Sequence, residues 1–240
     1  MLGAMKATRE AAVIKVEGLE IRQVSDELVH ERRIVVRLGE REILATVCTP
    51  GDLHALVIGH LASEGWIRSA CDVASVSVDE DLSAVSVLLH EDAVAPRREP
   101  SLVETAFAVS VCDVSDASKI AEAHGRMFRA TGGTHLAAVC LADLSHVIVE
   151  DISRTCALEK ALGGALLAGA DLRRSILFLT SRVPLLFVQK AARVGIPILA
   201  AVSAPTYEAV EEAERLGICL CGFVRGDRLN VYSRPSRVGL

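Results

Sequence analysis

SILFLTSRVPLLFVQKAARVGIPILAAVS, residues Ser175–Ser203, decides how this chain folds. SILFL is an unbroken apolar run, short enough for a strand and too apolar for one with a face in water. LLFVQKAARVG then spaces its apolar side chains as a helix does and stops at Gly195, a residue suited to the left-handed turn that ends helices. IPILAAVS repeats the first pattern. Strand, helix, strand is the crossover unit of a parallel sheet covered on both sides.

The alternation continues outward. PTYEAVEEAERLG reads as a helix closed by Gly217, and ICLCGFVRG and RLNVYSRP follow as strands. Upstream, SRTCALEKALGGALLAG is a helix with Ser153 as its cap. HLAAVCLAD and SHVIVED pair as a hairpin before it, and Ser118–Thr131 has helical character. Glu91–Leu102, EDAVAPRREPSL, is charged, carries two prolines and lacks an apolar period, so it reads as a linker. It divides the chain into an N-terminal α+β domain, residues 1–102, and a core domain, residues 103–240. Within the first, residues 1–11 look like a loose start. RRIVVRLGEREILATVCTP is a hairpin about LGE, and Thr49–Asp52 supply turn and cap chemistry for a helix from Leu53. ASVSVDEDLSAVSVLLHED is two strands around a polar turn.

Composition limits the function. The chain has 240 residues, 51% hydrophobic and 3% aromatic, so its core is built from Val, Leu, Ile and Ala. Lys and Arg number 26 against 31 Asp and Glu, a formal charge of −5, which argues against coating nucleic acid. The opening MLGAMKATRE has no apolar signal region, and no apolar run reaches the ~18 residues of a membrane span. A cytoplasmic protein with no membrane partner is expected. Its seven cysteines, at 48, 71, 112, 140, 156, 219 and 221, are scattered and odd in number, which suits reduced thiols better than a disulfide framework.

Several stretches could carry chemistry. RATGGTH contains Thr131, Gly132, Gly133, Thr134 and His135. Its glycines permit close approach of backbone N–H groups to an anion, though the same letters also spell a helix C-cap before a strand. VEDISR sets Glu150, Asp151 and Arg154 where a strand ends, the usual ligand side of an open α/β sheet; acids at a helix start read the same way. In VSAPTYEAVEEAE, Ser203, Ala204, Pro205 and Thr206 open a helix whose first turn can hold a phosphate or simply start there. GFVRGDRLNVYSRPSR gathers Arg225, Arg228, Arg234 and Arg237, with Asn230 among them; Arg binds phosphate as a planar fork and also keeps strand edges soluble. No metal site is expected, because neither C-x-x-C nor H-x-E occurs. Cys112 sits in FAVSVCDVSD, a short polar turn as read from the sequence, with Ser115 where a C-x-x-C motif would have its second cysteine.

Taken together, VIGHLASEGWI, TGGTH, EDISRTCALEKALG, VQKAARVGIPIL, SAPTYEAVEEA and GFVRGDRLNVY occur in the order of a known family and span most of residues 45–237. The chain resembles the FdhD family, the formate dehydrogenase accessory sulfurtransferases. The resemblance implies a three-layer core like that of the cytidine deaminases, without their zinc, beside the smaller N-terminal α+β domain. It implies a persulfide taken from a cysteine desulfurase on Cys112. The sulfur then goes to the molybdenum or tungsten bis-pyranopterin guanine dinucleotide cofactor of formate dehydrogenase or a related oxidoreductase. That cofactor is cargo, held through its guanine nucleotide moiety, and no tightly bound cofactor is implied. A homodimer is implied too. The cofactor contacts would fall on Thr131–His135, Glu150, Asp151, Arg154, Arg182, Ser203–Thr206, Arg225 and Asn230.

The chain departs from the family pattern at its centre. The usual C-G-x-C-G reads CDVSD, so Cys112 stands alone. E-D-x-G-R-H-N reads EDISRTC, with Thr155 and Cys156 in place of His and Asn. S-G-R-x-S-S-E reads TSRVPLL, keeping Arg182 but placing Pro184, Leu185 and Leu186 after it. A single-cysteine sulfur carrier, a cofactor-binding chaperone that has lost sulfur transfer, and a different small-molecule enzyme on the same scaffold are all open at this point. Cys156 is the candidate for a displaced second thiol.

Overall fold

The computed structural model describes residues 7–93, 98–143 and 145–240. Residues 94–97 of the expected linker and residues 1–6 of the expected loose start lie outside it. The first described element is a two-stranded antiparallel ribbon, β1 (Thr8–Glu17) and β2 (Glu20–Val29), turning at Gly18 with φ of +65°. Residues 8–11, also expected as part of the loose start, lie instead in β1. Both faces of the ribbon are largely exposed, so it carries no alternation for a sequence pattern to reveal.

A four-stranded sheet follows, in the order β4 (Arg41–Cys48), β3 (Arg32–Leu38), β6 (Ala84–Leu89), β5 (Val73–Val78). Both expected hairpin regions form strands here. Ile34, Val36, Val85 and Val87 pack against Leu56, Val57 and Leu61 of α1 (Leu53–Ser63). Asp52 precedes α1 in a left-handed conformation and makes no side-chain cap, contrary to the expected cap chemistry.

The larger sheet has six strands in the order β12 (Arg228–Ser233), β11 (Cys219–Arg225), β10 (Ile198–Ala201), β9 (Ser175–Leu179), β7 (His135–Leu141), β8 (His146–Asp151). β9, β10 and β11 are parallel, while β12 pairs with β11, and β7 with both β9 and β8, antiparallel. Every residue of β9 and β10 is buried, as their unbroken apolar runs require. Ala137 and Val139 of β7 face α4 (Arg154–Leu167), α5 (Leu185–Val194) and α6 (Tyr207–Leu216). Leu136 and Ala138 face Val114, Ala117 and Ala121 of α2 (Val111–His124) on the other side. Helices on both faces make the expected three layers. Ser153 caps α4 by accepting from the Cys156 amide at 3.3 Å, and Gly195 and Gly217 end α5 and α6 with φ of +83° and +71°.

One reading changes. The helix expected over Ser118–Thr131 starts at Val111 and breaks at Gly125, leaving a short second helix, α3 (Arg126–Thr131). Cys112 is thus in the first turn of a helix, not in a loop. Ser110 and Asp113 form a reciprocal capping box, the Asp113 amide donating to Ser110 Oγ at 3.2 Å and the Ser110 amide to Asp113 Oδ2 at 2.7 Å. The chain reaches this helix along residues 103–109, which Arg237 clasps. Its guanidinium donates to the carbonyls of Val103, Thr105, Phe107 and Gly217 at 2.8–3.2 Å.

α1 and α4 cross at two glycines. A Cβ on Gly59 would stand 1.7 Å from the Glu159 carbonyl oxygen, and one on Gly163 1.8 Å from that of Ala55. Buried ions lie beside the crossing. Lys190 donates to Glu159 at 2.6 Å and to Glu64, and His60 Nδ1 is 2.9 Å from Glu159. Burial alone would push the Glu159 carboxyl up, but His60 and Lys190 together hold it below its ordinary value.

Candidate functional site

Three parallel strands deliver their C-terminal ends to one edge of the large sheet. Beyond them, residues 180–183 and 202–206 run side by side. The Val202 amide donates to Leu179 O at 2.9 Å, Val183 to Ala204 O at 3.1 Å, and Thr206 to Val183 O at 3.0 Å. The two loops lead into α5 and α6, whose first turns point their unpaired amides toward this edge. Because β7 runs antiparallel to β9, it starts at the same edge, with Leu136 and Thr180 exchanging hydrogen bonds. β8 ends there, Asp151 opposite His135. The edge thus collects His135, Arg154, Arg182 and Ser203–Thr206, which the sequence spreads over about seventy residues.

The β11–β12 hairpin carries Arg225 and Asn230 at the same edge, paired with Arg228 and Gly222. Gly222 has no space for a side chain: a Cβ would lie 3.2 Å from Ser203 O and 3.0 Å from Pro205 Cδ. Arg182, Arg225, Thr206 and Asn230 are exposed, and His135 and Arg154 are half-buried. Arg154 lies over the Phe187 ring at 5.9 Å, a contact that orients its guanidinium. Burial, and then the charge of Arg154, push the His135 imidazole below its ordinary value, so it favours the neutral form.

Other predicted residues are engaged by the protein's own groups. Glu150 accepts from the Met127 and Phe128 amides at 2.8 and 2.7 Å and from Thr134 Oγ1 at 3.2 Å. Gly125 offers α3 no side-chain cap, and Glu150 takes that place from the neighbouring strand. Thr131 Oγ1 donates to Met127 O and accepts from the Gly133 amide, while the Gly132 amide donates to Phe128 O. The amides of both glycines are used within the turn, which matches the helix C-cap reading of TGGTH. Asp151 is fully buried. It accepts from Lys160 Nζ at 2.7 Å, from Thr49 Oγ1 at 2.8 Å, and from the Ser153 amide at 2.8 Å.

Cys112 stands apart from this edge. Its helix covers the face opposite α4, α5 and α6, and Val109 is anchored to Arg237, which also binds the Gly217 carbonyl where β11 begins. Asp113 is occupied by the capping box and Asp116 by Lys119 at 3.1 Å. Ser115 is buried, so the fourth place of the spacing faces the sheet. Cys156 lies across the sheet from Cys112. It is buried among the residues that hold the four-stranded sheet on α1, with Thr46 Oγ1 at 3.3 Å. It is not a resolving thiol for Cys112 in this arrangement. Hydrogen bonds from Cys48, Ser153 and Thr46 lower its pKa against the effect of burial. Cys219 and Cys221 point the same way and are buried with sulfurs 3.8 Å apart. Of the described cysteines, Cys71 and Cys112 are exposed. No sequence pattern singles out Cys71, which lies in a short 3-10 turn.

Among the described residues no group of His, Cys, Asp and Glu is arranged to hold a metal ion, and no helix is long and apolar enough to cross a membrane.

Comparison with known proteins agrees with the architecture. A model of the FdhD/NarQ family matches residues 29–119 and 90–239. The sulfur carrier protein FdhD of Bacillus subtilis (strain 168) is 34% identical over 97% of this chain and 98% of its own. The sulfur carrier protein FdhD of Methanothermobacter thermautotrophicus is 28% identical over 98% of this chain and 100% of its own. In three dimensions the chain resembles the crystal structure of "a putative formate dehydrogenase accessory protein from Desulfotalea psychrophila", with a TM-score of 0.83 over 97% of this chain and 22% identity.

Proposed function

The chain belongs to the FdhD/NarQ family, and on that footing we propose that it is a single-thiol sulfur carrier. Cys112 receives persulfide sulfur from a cysteine desulfurase, and the sulfur is destined for the molybdenum or tungsten bis-pyranopterin guanine dinucleotide cofactor of formate dehydrogenase. The observation that carries this reading is the exposed thiol of Cys112, at the place of the first cysteine in the loop pattern described above. The chemistry needs one sulfur anchor. The Cys112 thiolate attacks the terminal sulfur of the donor persulfide, the bond between the two donor sulfurs breaks, and the donor cysteine leaves as thiolate. Cys112 ends as the persulfide with no net oxidant consumed. Exposure and a place at a helix start suit a thiol that must meet a partner. Neither Ser115 nor Cys156 is placed to discharge it as a disulfide, so the persulfide persists until an acceptor arrives.

The cargo would bind at the strand-end edge. Arg182 and Arg225 can fork onto phosphate oxygens, the first turns of α5 and α6 favour an anion, and His135, Arg154, Ser203 and Asn230 line the approach. Glu150 and Asp151 contribute by holding the edge in shape.

Sulfur loading tests the carrier. The reduced protein is incubated with a cysteine desulfurase and cysteine, and its intact mass is taken. A gain of one sulfur atom is expected in the wild type and in Cys71→Ala, and none in Cys112→Ala. Loading that survives in Cys112→Ala, or a wild type that gains nothing, would overturn it and leave a cofactor-binding relative without transfer. The cargo edge has its own test. Arg182→Ala should weaken GDP binding about tenfold, near 1.4 kcal/mol, by calorimetry. An unchanged affinity would move the nucleotide elsewhere.

A further inference from the structure

A concavity of about 590 Å³ opens at the other end of the large sheet, bounded by the ends of α4 and α5 and by the segment that enters β9. Four arginines line it: Arg68, Arg98, Arg173 and Arg193. Two carboxylates do so, Glu104 and Asp171, and Asp171 Oδ1 already accepts from the Arg173 amide at 3.1 Å. The lining therefore carries more positive charge than it neutralises.

The arginines are not placed alike. Arg193 forms the wall, with only 7% of its side chain exposed. It donates to Ser63 O at 3.1 Å and to Arg98 O at 3.2 Å, and lies 4.0 Å from Glu99. Arg98 donates one Nη to Ile67 O at 2.7 Å, but its Nε is buried with no partner among the described residues. A buried guanidinium donor without an acceptor is costly to keep. Arg68 and Arg173 are exposed, and Gly195 makes room for Arg173: a Cβ there would lie 3.0 Å from Arg173 Cγ. Burial, and then the like charges of Arg68 and Arg193, lower the Arg98 pKa, with Asp72 opposing. Guanidinium groups in one another's field, in a cavity of ligand size, fit an anion of more than one charge.

We infer that this concavity is a binding site for a phosphate-bearing small molecule, held by Arg68, Arg98 and Arg173 against a wall fixed by Arg193. It is separate from the strand-end edge and independent of what that edge binds. Its concave form suits a diphosphate or a nucleotide better than the flat acidic face of a protein. Planar guanidinium forks match phosphate oxygens in pairs.

Calorimetry at low salt with inorganic pyrophosphate and with GDP tests it. Three proteins are compared: wild type, the exposed pair Arg68→Ala/Arg173→Ala, and Arg182→Ala at the far edge. Pyrophosphate should bind the wild type and Arg182→Ala alike, and the double variant at least about tenfold more weakly. In Arg182→Ala, tighter binding of GDP than of pyrophosphate would mark a nucleotide as the ligand. Equal binding would mark a free phosphate, and both support the site. No heat with wild type at millimolar pyrophosphate would overturn it. So would binding lost in Arg182→Ala and kept in the double variant, which would put the anion at the strand ends.

Discussion

Gly163→Ala should cost the protein at least about 4 kcal/mol, a large part of the ~5–15 kcal/mol margin of an ordinary domain. A Cβ there would stand 1.8 Å from the Ala55 carbonyl oxygen and 2.6 Å from the Gly59 amide nitrogen. Those are backbone atoms of α1 and cannot rotate away, so the helices must part. Parting them disturbs the cores on either side, where Leu56 packs on the four-stranded sheet and Leu158 and Leu162 on the large one, all three wholly buried. Added volume in a close-packed core costs about 1–3 kcal/mol when side chains can yield; here none of the obstructing atoms can. The control is the adjacent glycine. At Gly164 a Cβ would meet only a methyl of Val147, at 2.9 Å. There the ~1 kcal/mol that alanine gains over glycine in a helix offsets part of the crowding. Urea unfolding of the two variants measures the contrast. Equal midpoints would mean that the crossing is looser than the structure shows.

Lys160→Met should be nearly as damaging, at about 3–5 kcal/mol. Lys160 is 1% exposed, and its ammonium donates to Asp151 at 2.7 Å, Thr49 O at 2.8 Å and Thr49 Oγ1 at 3.0 Å. Methionine keeps the length and the packing but leaves the buried Asp151 carboxylate without its ammonium partner. Asp151 would retain Thr49 and the Ser153 amide as donors, which softens the loss without supplying a countercharge. The double variant Asp151→Asn/Lys160→Met separates charge from packing. It should be more stable than Lys160→Met alone, because no ion remains unpaired. If the double variant is the less stable of the two, the lysine acts through its contacts with Thr49 and not through the ion pair.

The same carboxylate shows where sequence reading reached its limit. Strand ends in an α/β sheet mark the ligand side, and that rule singled out Glu150, Asp151 and Arg154; the TGGTH turn supplied His135, a helix start Ser203–Thr206 and the family resemblance Arg182, and only the fold brings His135, Arg154, Arg182 and Ser203–Thr206 to one edge. The strand-end rule could not separate an acid that faces the crevice from one that faces inward. Asp151 meets Lys160, nine residues along, only because β8 and α4 fold back on each other. The β9–α5–β10–α6 run was legible because burial on both faces leaves unbroken apolar strands and glycine-ended helices. The β1–β2 ribbon was not, because with neither face covered nothing selects an alternating pattern. The start of α2 was misread although its signal was present. Ser110 and Asp113 have the spacing of a capping box, but the polar letters around Cys112 look equally like a turn. The arginine-lined concavity had no local signal, since its members come together only through the packing of α1, α4 and α5.

The Arg237 clasp sets an order in time. Val103 and Arg237 are 134 residues apart in the chain. At about 5–20 residues per second, a ribosome needs roughly 7–27 s to pass from one to the other. Throughout that interval the segment leading to Cys112 has been made and the side chain that fastens it has not. The thiol is therefore presented on a loosely held nascent chain well before it is presented on a seated helix.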